Sequence, residues 1–133
     1  RFAGALGVPL VTFIDTPGAD PSSASEAQGI ARTIATAFRT VLEHPGPSVA
    51  VVTGEGGSGG ALSLAACDRI LICENAIFSV IAPEAAAAIL KRDDVDRVAQ
   101  ELKPTAKDLI ELGLADALIP EPPRGAHEDP EAA

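Results

Sequence analysis

The glycine-rich run GEGGSGGA at residues 54–61 constrains this chain more than any other feature. It follows an apolar, β-branched segment at residues 48–53 and precedes a helix-like stretch at residues 61–67. Five glycines in eight residues allow a sharp turn and leave few side chains over it. Because the first N–H groups of a helix lack intrahelical partners, such a turn can hold an oxygen anion with backbone donors alone.

The rest of the chain predicts alternating strands and helices. An apolar run at residues 8–14 ends in a turn at residues 15–19, and a capping box at residues 23–26 begins a helix that stops before residues 45–47. Its apolar face carries Ile30, Ile34, Phe38, Val41 and Leu42. Further strands are predicted at residues 48–53, 69–73, 76–81 and 117–119, and further helices from Pro83, over residues 93–102 and from Thr105 to about Gly113.

This order of elements predicts an α/β fold with a parallel strand–helix–strand crossover. We expect one domain over residues 1–120, followed by a Pro-rich, acidic and loose tail at residues 121–133. The chain starts without Met and almost directly in a strand, so we expect it to be cut from a longer protein and to be incomplete at the N-terminus.

Composition excludes several classes of partner. The formal net charge is −9 and Lys and Arg do not cluster, which argues against nucleic acid. No apolar run approaches the roughly 18 residues that span a membrane, and no signal peptide is visible, so a cytoplasmic protein is expected. Cys67 and Cys73 fit neither a metal site nor a disulfide framework, which predicts free thiols and no metal.

Three kinds of anion site can be built on the glycine run. A phosphate loop requires Lys and Ser or Thr after the last glycine, but Ala61 and Leu62 follow Gly60. A nucleophilic serine is compatible with GGSGG at residues 56–60, which matches G-x-S-x-G. That chemistry also needs a histidine base, and His127 in the tail and His44 at a helix end are poorly placed for it.

The third kind of site is an oxyanion hole without a side-chain nucleophile. Loops that follow adjacent parallel strands meet at one edge of the sheet, so the turns at residues 17–19 and 58–60 can aim their N–H groups at one anion. The alternative is that these glycines only permit tight packing of helix on strand. Glu84, Asp15 and Asp68 are predicted to stabilise a helix start or turns rather than to catalyse.

Five motifs in order give the chain a family resemblance. They are FIDTPGA (13–19), GEGGSGGA (54–61), SVIAPE (79–84), LIELGLAD (109–116) and IPEP (119–122), and GAH follows at residues 125–127. Together they resemble the carboxyltransferase alpha subunit of bacterial acetyl-CoA carboxylase over nearly the whole chain. The resemblance implies a crotonase-like fold, a spiral of β-β-α units, of which this chain is the C-terminal part.

The resemblance also implies the site and its partners. Gly59 and Gly60 match the family's glycine pair and Ala19 follows Pro-Gly in the first loop, so Gly18, Ala19, Gly59 and Gly60 are the expected catalytic residues. Gly59, Gly60, Ala61 and Ala19 would bind biotin, as carboxybiotin on a biotin carboxyl carrier protein. A beta-type subunit or fused half, often with a zinc ribbon, would bind the acyl-CoA, so a hetero-oligomer is expected. Carboxyl transfer from carboxybiotin to acetyl-CoA would yield malonyl-CoA.

Some positions depart from the family pattern and keep two alternatives open. Asp20-Pro21-Ser22 replaces an aromatic residue and Pro-Gly, Ala85-Ala86-Ala87 replaces Gly-Cys-Ala, and Lys91 stands near a usual Trp. A malonate decarboxylase-type subunit and a degenerate scaffold subunit are the alternatives. Hydratase chemistry is disfavoured because Leu62 occupies the place of the acid, and peptidase chemistry because Ile81-Ala82-Pro83 lacks a histidine.

Overall fold

The structure, a computed structural model, describes residues 2–131. In chain order the elements are α1 (Phe2–Leu6), β1 (Leu10–Thr16), α2 (Ser23–Ala27), α3 (Ile30–Leu42), β2 (Ser48–Gly57), α4 (Ser58–Ala65), β3 (Arg69–Cys73), β4 (Ile77–Ser79), α5 (Pro83–Leu90), α6 (Val95–Glu101), α7 (Ala106–Glu111) and β5 (Ala117–Ile119). The strands form one parallel sheet in the order β1-β2-β3-β5, and β4 also pairs with β2. The predicted α/β class and parallel crossover are therefore confirmed.

Strand β2 is the centre of the sheet and changes partner along its length. Its first half pairs with β3 over residues 49–52, and its glycine-rich second half pairs with β4 over residues 55–57. On its other side, β2 pairs with β1 along the whole length of β1. The register is irregular there, because Ile14 is paired with Val52 whereas Thr16 is paired with Gly56. Strand β2 thus holds two more residues than β1 between these pairs, which is a bulge at residues 53–55.

The core lies between one face of the sheet and helix α4. Ile14, Val52 and Ile72 are fully buried and pack with Ala61 of α4 in one apolar cluster. Helix α3 packs on the outer side of α4. Because side chains alternate along a strand, Val11 and Phe13 point away from this core and are exposed.

The predicted boundaries were wrong in three places. The glycine run is not wholly a turn, because β2 continues to Gly57 and the helix begins at Ser58 rather than at residue 61. The first strand includes residues 15 and 16, which were assigned to the turn, and β4 is shorter than residues 76–81. Pairing with β1 and β4 supplies ladder hydrogen bonds that override the weak strand propensity of glycine.

The helix predicted from residue 23 onward is two helices. Ser22, not Ser23, is the N-cap of α2, and its hydroxyl accepts a hydrogen bond from Ser25 N at 3.2 Å. Gly29 has a left-handed backbone (φ 81°), which ends α2 and lets α3 begin at Ile30. Leu42, expected on the apolar face, is exposed at the end of α3.

The residues after β5 contain no helix or strand up to residue 131, but they are tied to the sheet. The Glu121 carboxylate accepts hydrogen bonds from Asn75 N (2.7 Å) and Ala126 N (3.0 Å). These backbone N–H groups, that of Ala126 first, lower the pKa of Glu121. None of the helices within residues 2–131 has the length and apolar character that crossing a membrane requires.

Candidate oxyanion site

Two loops meet beyond the carboxyl ends of β1 and β2. A Cβ built on Gly57 would overlap the carbonyl of Pro17, and a Cβ on Gly60 would lie 3.1 Å from Ala19 N. A Cβ on Gly18 would in turn lie 3.3 Å from the side chain of Ser58. The structure therefore brings together the two predicted turns; glycine at residue 57 is required for their contact, and a side chain at residue 60 would fit only if the first loop moved by a few tenths of an ångström.

The first loop is shaped by Thr16. Its hydroxyl accepts a hydrogen bond from Gly18 N (3.3 Å) and donates one to Gly18 O (3.2 Å). Gly18 has φ 131°, a conformation that favours glycine. Since the Gly18 N–H is engaged by Thr16, Ala19 is the better placed donor in this loop. Ala19 N has no acceptor within residues 2–131.

The second loop is the start of α4. Its N-cap, Gly57, has no side chain to satisfy the first amides of the helix. Gly59 and Gly60 are the second and third residues of α4, where backbone N–H groups have no acceptor within the helix. Ala61, the third predicted donor, is fully buried. The first-turn amides of Gly59 and Gly60, together with Ala19 N, are thus the candidate donors at this edge of the sheet.

A crevice of about 190 Å³ opens beside the two loops. Pro17 and Ser58 reach it from the loops, and Ala82, Pro83 and Glu84 reach it from the start of α5. Gly59 directly follows Ser58 in the chain, but Gly59, Gly60 and Ala19 do not themselves line the crevice. Glu84 lies in the first turn of α5, as predicted, and it also lines the crevice, the place at which an acid role was the less favoured alternative. Its only sequence signal is the Pro-Glu pair that starts the helix.

A larger apolar cavity, of about 300 Å³, lies between the sheet, α4 and α7. It shares Ser79 and Leu102 with the crevice and includes Leu62, the residue at the hydratase acid position. Its walls are mostly apolar side chains, with Ser79 and Lys103 as the polar exceptions, and such walls are poorly suited to stabilise a developing oxyanion. The candidate chemistry therefore lies at the loops.

The structure gives no support to a nucleophilic serine. Ser58 is exposed and has φ 52°, the strained turn that such a nucleophile would need. Its hydroxyl has no hydrogen-bond partner among residues 2–131, and neither His44 nor His127 lines the crevice. His44 N donates to Val41 O at the end of α3, and the His127 ring is exposed beside Glu128.

Asp68 and Asp20 have structural roles. Asp68 accepts hydrogen bonds from Ser48 Oγ and Ser48 N, both at 2.8 Å, which lowers its pKa. Asp20, one of the departures from the family pattern, accepts from the Ser25 and Ser22 hydroxyls, and these bonds lower its pKa. It therefore braces the start of α2. Lys91, another departure, is the exposed left-handed residue that ends α5.

Possible metal ligands and thiols are dispersed over the part of the chain that the structure describes. Among residues 2–131, His, Cys, Asp and Glu side chains form no group of three or more that could hold a metal ion. Cys67 and Cys73 are free thiols. Burial raises the pKa of Cys73, which disfavours its reactive thiolate form.

The architecture is the crotonase-like α/β fold found in carboxyltransferases. The structure resembles the transcarboxylase 12S hexamer core with hydrolyzed methylmalonyl-coenzyme A bound (TM-score 0.80, 24% identity, 90% of this chain and 24% of that one). It also resembles a Pseudomonas malonate decarboxylase hetero-tetramer in complex with coenzyme A (TM-score 0.78, 21% identity, 86% of this chain and 48% of that one). At these identities the likeness establishes the fold.

The chain belongs to the acetyl co-enzyme A carboxylase carboxyltransferase-like family, whose model matches residues 1–133. It is 52% identical to the acetyl-coenzyme A carboxylase carboxyl transferase subunit alpha of Gluconacetobacter diazotrophicus, over 99% of this chain and 42% of that protein. It is also 52% identical to the fused beta/alpha subunits of Salinispora tropica, over 100% of this chain and 24% of that protein. The chain thus spans less than half the length of these relatives. The predicted resemblance is confirmed.

Proposed function

We propose that this chain forms the biotin-facing half-site of an acyl-CoA carboxyltransferase. The reaction would move a carboxyl group from carboxybiotin to an acyl-CoA, with acetyl-CoA as the expected acceptor and malonyl-CoA as the product. The observation that carries this proposal is the contact between the two loops, which brings the first turn of α4, with Gly59 and Gly60, next to Ala19 N at one edge of the sheet.

The residues of this edge fit biotin. The ureido ring is small and has one acceptor oxygen, which suits a cluster of N–H donors beside a crevice with largely apolar walls. When bound, biotin supplies the carboxyl group and a ureido oxygen on which negative charge develops as that group leaves.

The chain's own contribution would be to stabilise that charge and to orient the partners. Gly59 N, Gly60 N and Ala19 N would donate to the ureido oxygen, and the positive end of the α4 dipole would add to their effect. Each such donor typically contributes about 10²- to 10³-fold in rate. Ala61 is the weaker candidate because it is buried behind the first turn.

The partners follow from the same proposal. A beta-type half, which often carries a zinc ribbon, would bind the acyl-CoA, and a biotin carboxyl carrier protein would deliver the biotin to a hetero-oligomer in the cytoplasm. The fused beta/alpha relative and the hetero-tetrameric structural neighbour support a two-part enzyme.

The test uses the full-length parent protein purified with its partners. We would measure malonyl-CoA-dependent carboxylation of free biocytin for wild type, Gly59→Pro and the matched control Gly59→Ala. Proline removes the N–H of residue 59, whereas alanine keeps it and has room, since its Cβ would lie 3.5 Å from Ile34 Cγ2. We expect activity about 100-fold lower in Gly59→Pro and little changed in Gly59→Ala. Circular dichroism and partner retention would confirm that both variants fold.

Gly60 is less suitable for this test, because any Cβ there presses on the first loop. A folded, partner-bound wild type that shows no exchange would contradict the proposal. Release of CO₂ from malonyl thioesters without biocytin would then indicate a malonate decarboxylase-type activity, and no reaction of either kind would indicate a scaffold subunit.

A further inference from the structure

The bulge in β2 is bridged by a single carboxylate. Asp15 Oδ1 accepts a hydrogen bond from Glu55 N at 3.0 Å, across 40 residues of chain. The same carboxylate packs against Gly54, since a Cβ added to this glycine would be only 2.8 Å from Asp15 Cγ. Beside it, Thr53 Oγ1 donates to Ile14 O at 3.3 Å. The ladder resumes immediately afterwards, at the pair Thr16 and Gly56.

The location of this bond connects it to the two donor loops. Asp15 lies two residues before Pro17, and Glu55 lies three residues before Ser58. The bond therefore ties together the strand ends from which both loops emerge. Asp15 is exposed and does not line the crevice, so its carboxylate is not directed at a bound anion.

We propose that Asp15 is a positioning residue that sets the distance between the two donor loops by holding the β2 bulge. The expected effect on the reaction rate rests on the proposed function, whereas the expected effect on the structure of the bulge does not. A bulge without a bridging acceptor leaves Glu55 N to solvent, and the local bend and twist of β2 between its ladder pairs with β1 are then less firmly fixed. A change in this bend or twist moves Gly59 N and Gly60 N relative to Ala19 N.

The expected effect on rate is large because oxyanion donors act only over a narrow range of distance. A displacement of about 1 Å can reduce a rate by about 100-fold. The effect on stability should be small, since Asp15 is exposed and water can replace it as the acceptor for Glu55 N. Positioning thus predicts a fall in kcat without a matching fall in Tm.

The experiment compares Asp15→Ala, Asp15→Asn and Asp68→Ala in the full-length protein with its partners. Asparagine keeps an acceptor oxygen and removes the charge. Asp68→Ala is the control, because it deletes two hydrogen bonds at the opposite end of β2, far from the loops. We expect kcat for biocytin carboxylation to fall about 10- to 100-fold in Asp15→Ala, with KM for malonyl-CoA little changed. Asp15→Asn should retain most of the activity and the wild-type pH profile, and Asp68→Ala should lower Tm but not kcat.

A second measurement does not depend on activity. Amide hydrogen exchange over residues 55–60 should be faster in Asp15→Ala than in wild type, Asp15→Asn or Asp68→Ala. Unchanged exchange in Asp15→Ala would overturn the proposal even if the protein proves to have a different function. So would Asp15→Ala with wild-type kcat in an active enzyme. An Asp15→Asn variant as inactive as Asp15→Ala, with an altered pH profile, would replace positioning by acid–base chemistry.

Discussion

Ser58 is one of three non-glycine residues within residues 2–131 whose backbone is left-handed, and it alone lies at the candidate site. This conformation costs a residue with a Cβ about 1–2 kcal/mol. It arises because β2 passes directly into α4 with no linking residue. Ser58 is exposed and lines the crevice.

Replacing Ser58 by glycine and by alanine distinguishes the effect of backbone strain on stability from any role of the hydroxyl in the reaction. We expect Ser58→Gly to raise the unfolding free energy by up to about 1 kcal/mol, because glycine relieves the left-handed strain but loses more freedom on folding. Ser58→Ala should keep the strain and leave carboxyl exchange nearly unchanged. Urea unfolding and the biocytin assay measure the two effects. Complete loss of activity in Ser58→Ala would restore the nucleophilic-serine alternative.

The guanidinium of Arg92 joins the loop between α5 and α6 to the last residue of α6 through hydrogen bonds to two carboxylates. Arg92 donates to Asp94 through Nε (2.8 Å) and Nη2 (2.7 Å), and to Glu101 through Nη1 (2.5 Å). Its side chain is only 28% exposed, less than either carboxylate partner. Arg92 lowers the pKa of Asp94 from 3.8 to about 2 and also lowers the pKa of Glu101. The two carboxylates in turn raise the pKa of Arg92.

These shifts predict an acid-sensitive helix pair. Because both carboxyl pKa values are lower in the folded state, their contribution to stability is complete above the unfolded values, near 4, and is lost as the pH falls toward 2. We therefore expect Arg92→Ala to lower Tm at pH 7 and to have little effect at pH 2. The control Arg97→Ala, which removes a more exposed partner of Glu101, should lower Tm less at pH 7. Equal effects of Arg92→Ala at both pH values would contradict the assignment.

At the level of elements, the sequence predicted strands better where both ends carry turn signals. Strand β3 and strand β5 have the predicted bounds because they lie between polar or turn residues. The extension of β2 into the glycines could not be predicted, since it depends on pairing with β4 and on the bulge opposite Asp15. The loops of the candidate site were predictable from glycine chemistry, whereas the Asp15–Glu55 bond depends on register between distant segments.

On the scale of the whole molecule, the two faces of the sheet differ. Helices α4 and α7 cover one face, but on the other Val11 is 52% and Phe13 is 70% exposed. Parallel sheets are normally covered on both faces, and a contiguous apolar surface promotes association. The 133-residue chain in isolation should therefore bind a hydrophobic dye and self-associate.

Replacing Phe13 tests this expectation. We expect Phe13→Ser to reduce dye fluorescence and the apparent mass in size-exclusion chromatography, with a small effect on unfolding free energy because the ring is mostly exposed. Leu42→Ser is the matched control, since Leu42 is similarly exposed but lies at the end of α3 on another surface. Identical behaviour of the two variants would show that the sheet face does not drive association.

The tight contact of the glycine run with its neighbours also limits how this segment can vary in evolution. In saturation mutagenesis, side chains should be disfavoured at four positions where a Cβ would overlap or press on the Asp15 carboxylate, the Phe78 ring or the first loop, namely 54, 56, 57 and 60, and least strongly at 60. Residues 55 and 59 should accept many replacements, because Glu55 is exposed and Gly59 is only lightly packed, whereas the left-handed backbone of Ser58 should accept mainly glycine, asparagine or aspartate. Genetic drift through this motif would then be confined to three of seven positions. The glycines would be retained because the backbone shape leaves no room for side chains, even in a descendant protein that no longer catalysed the reaction.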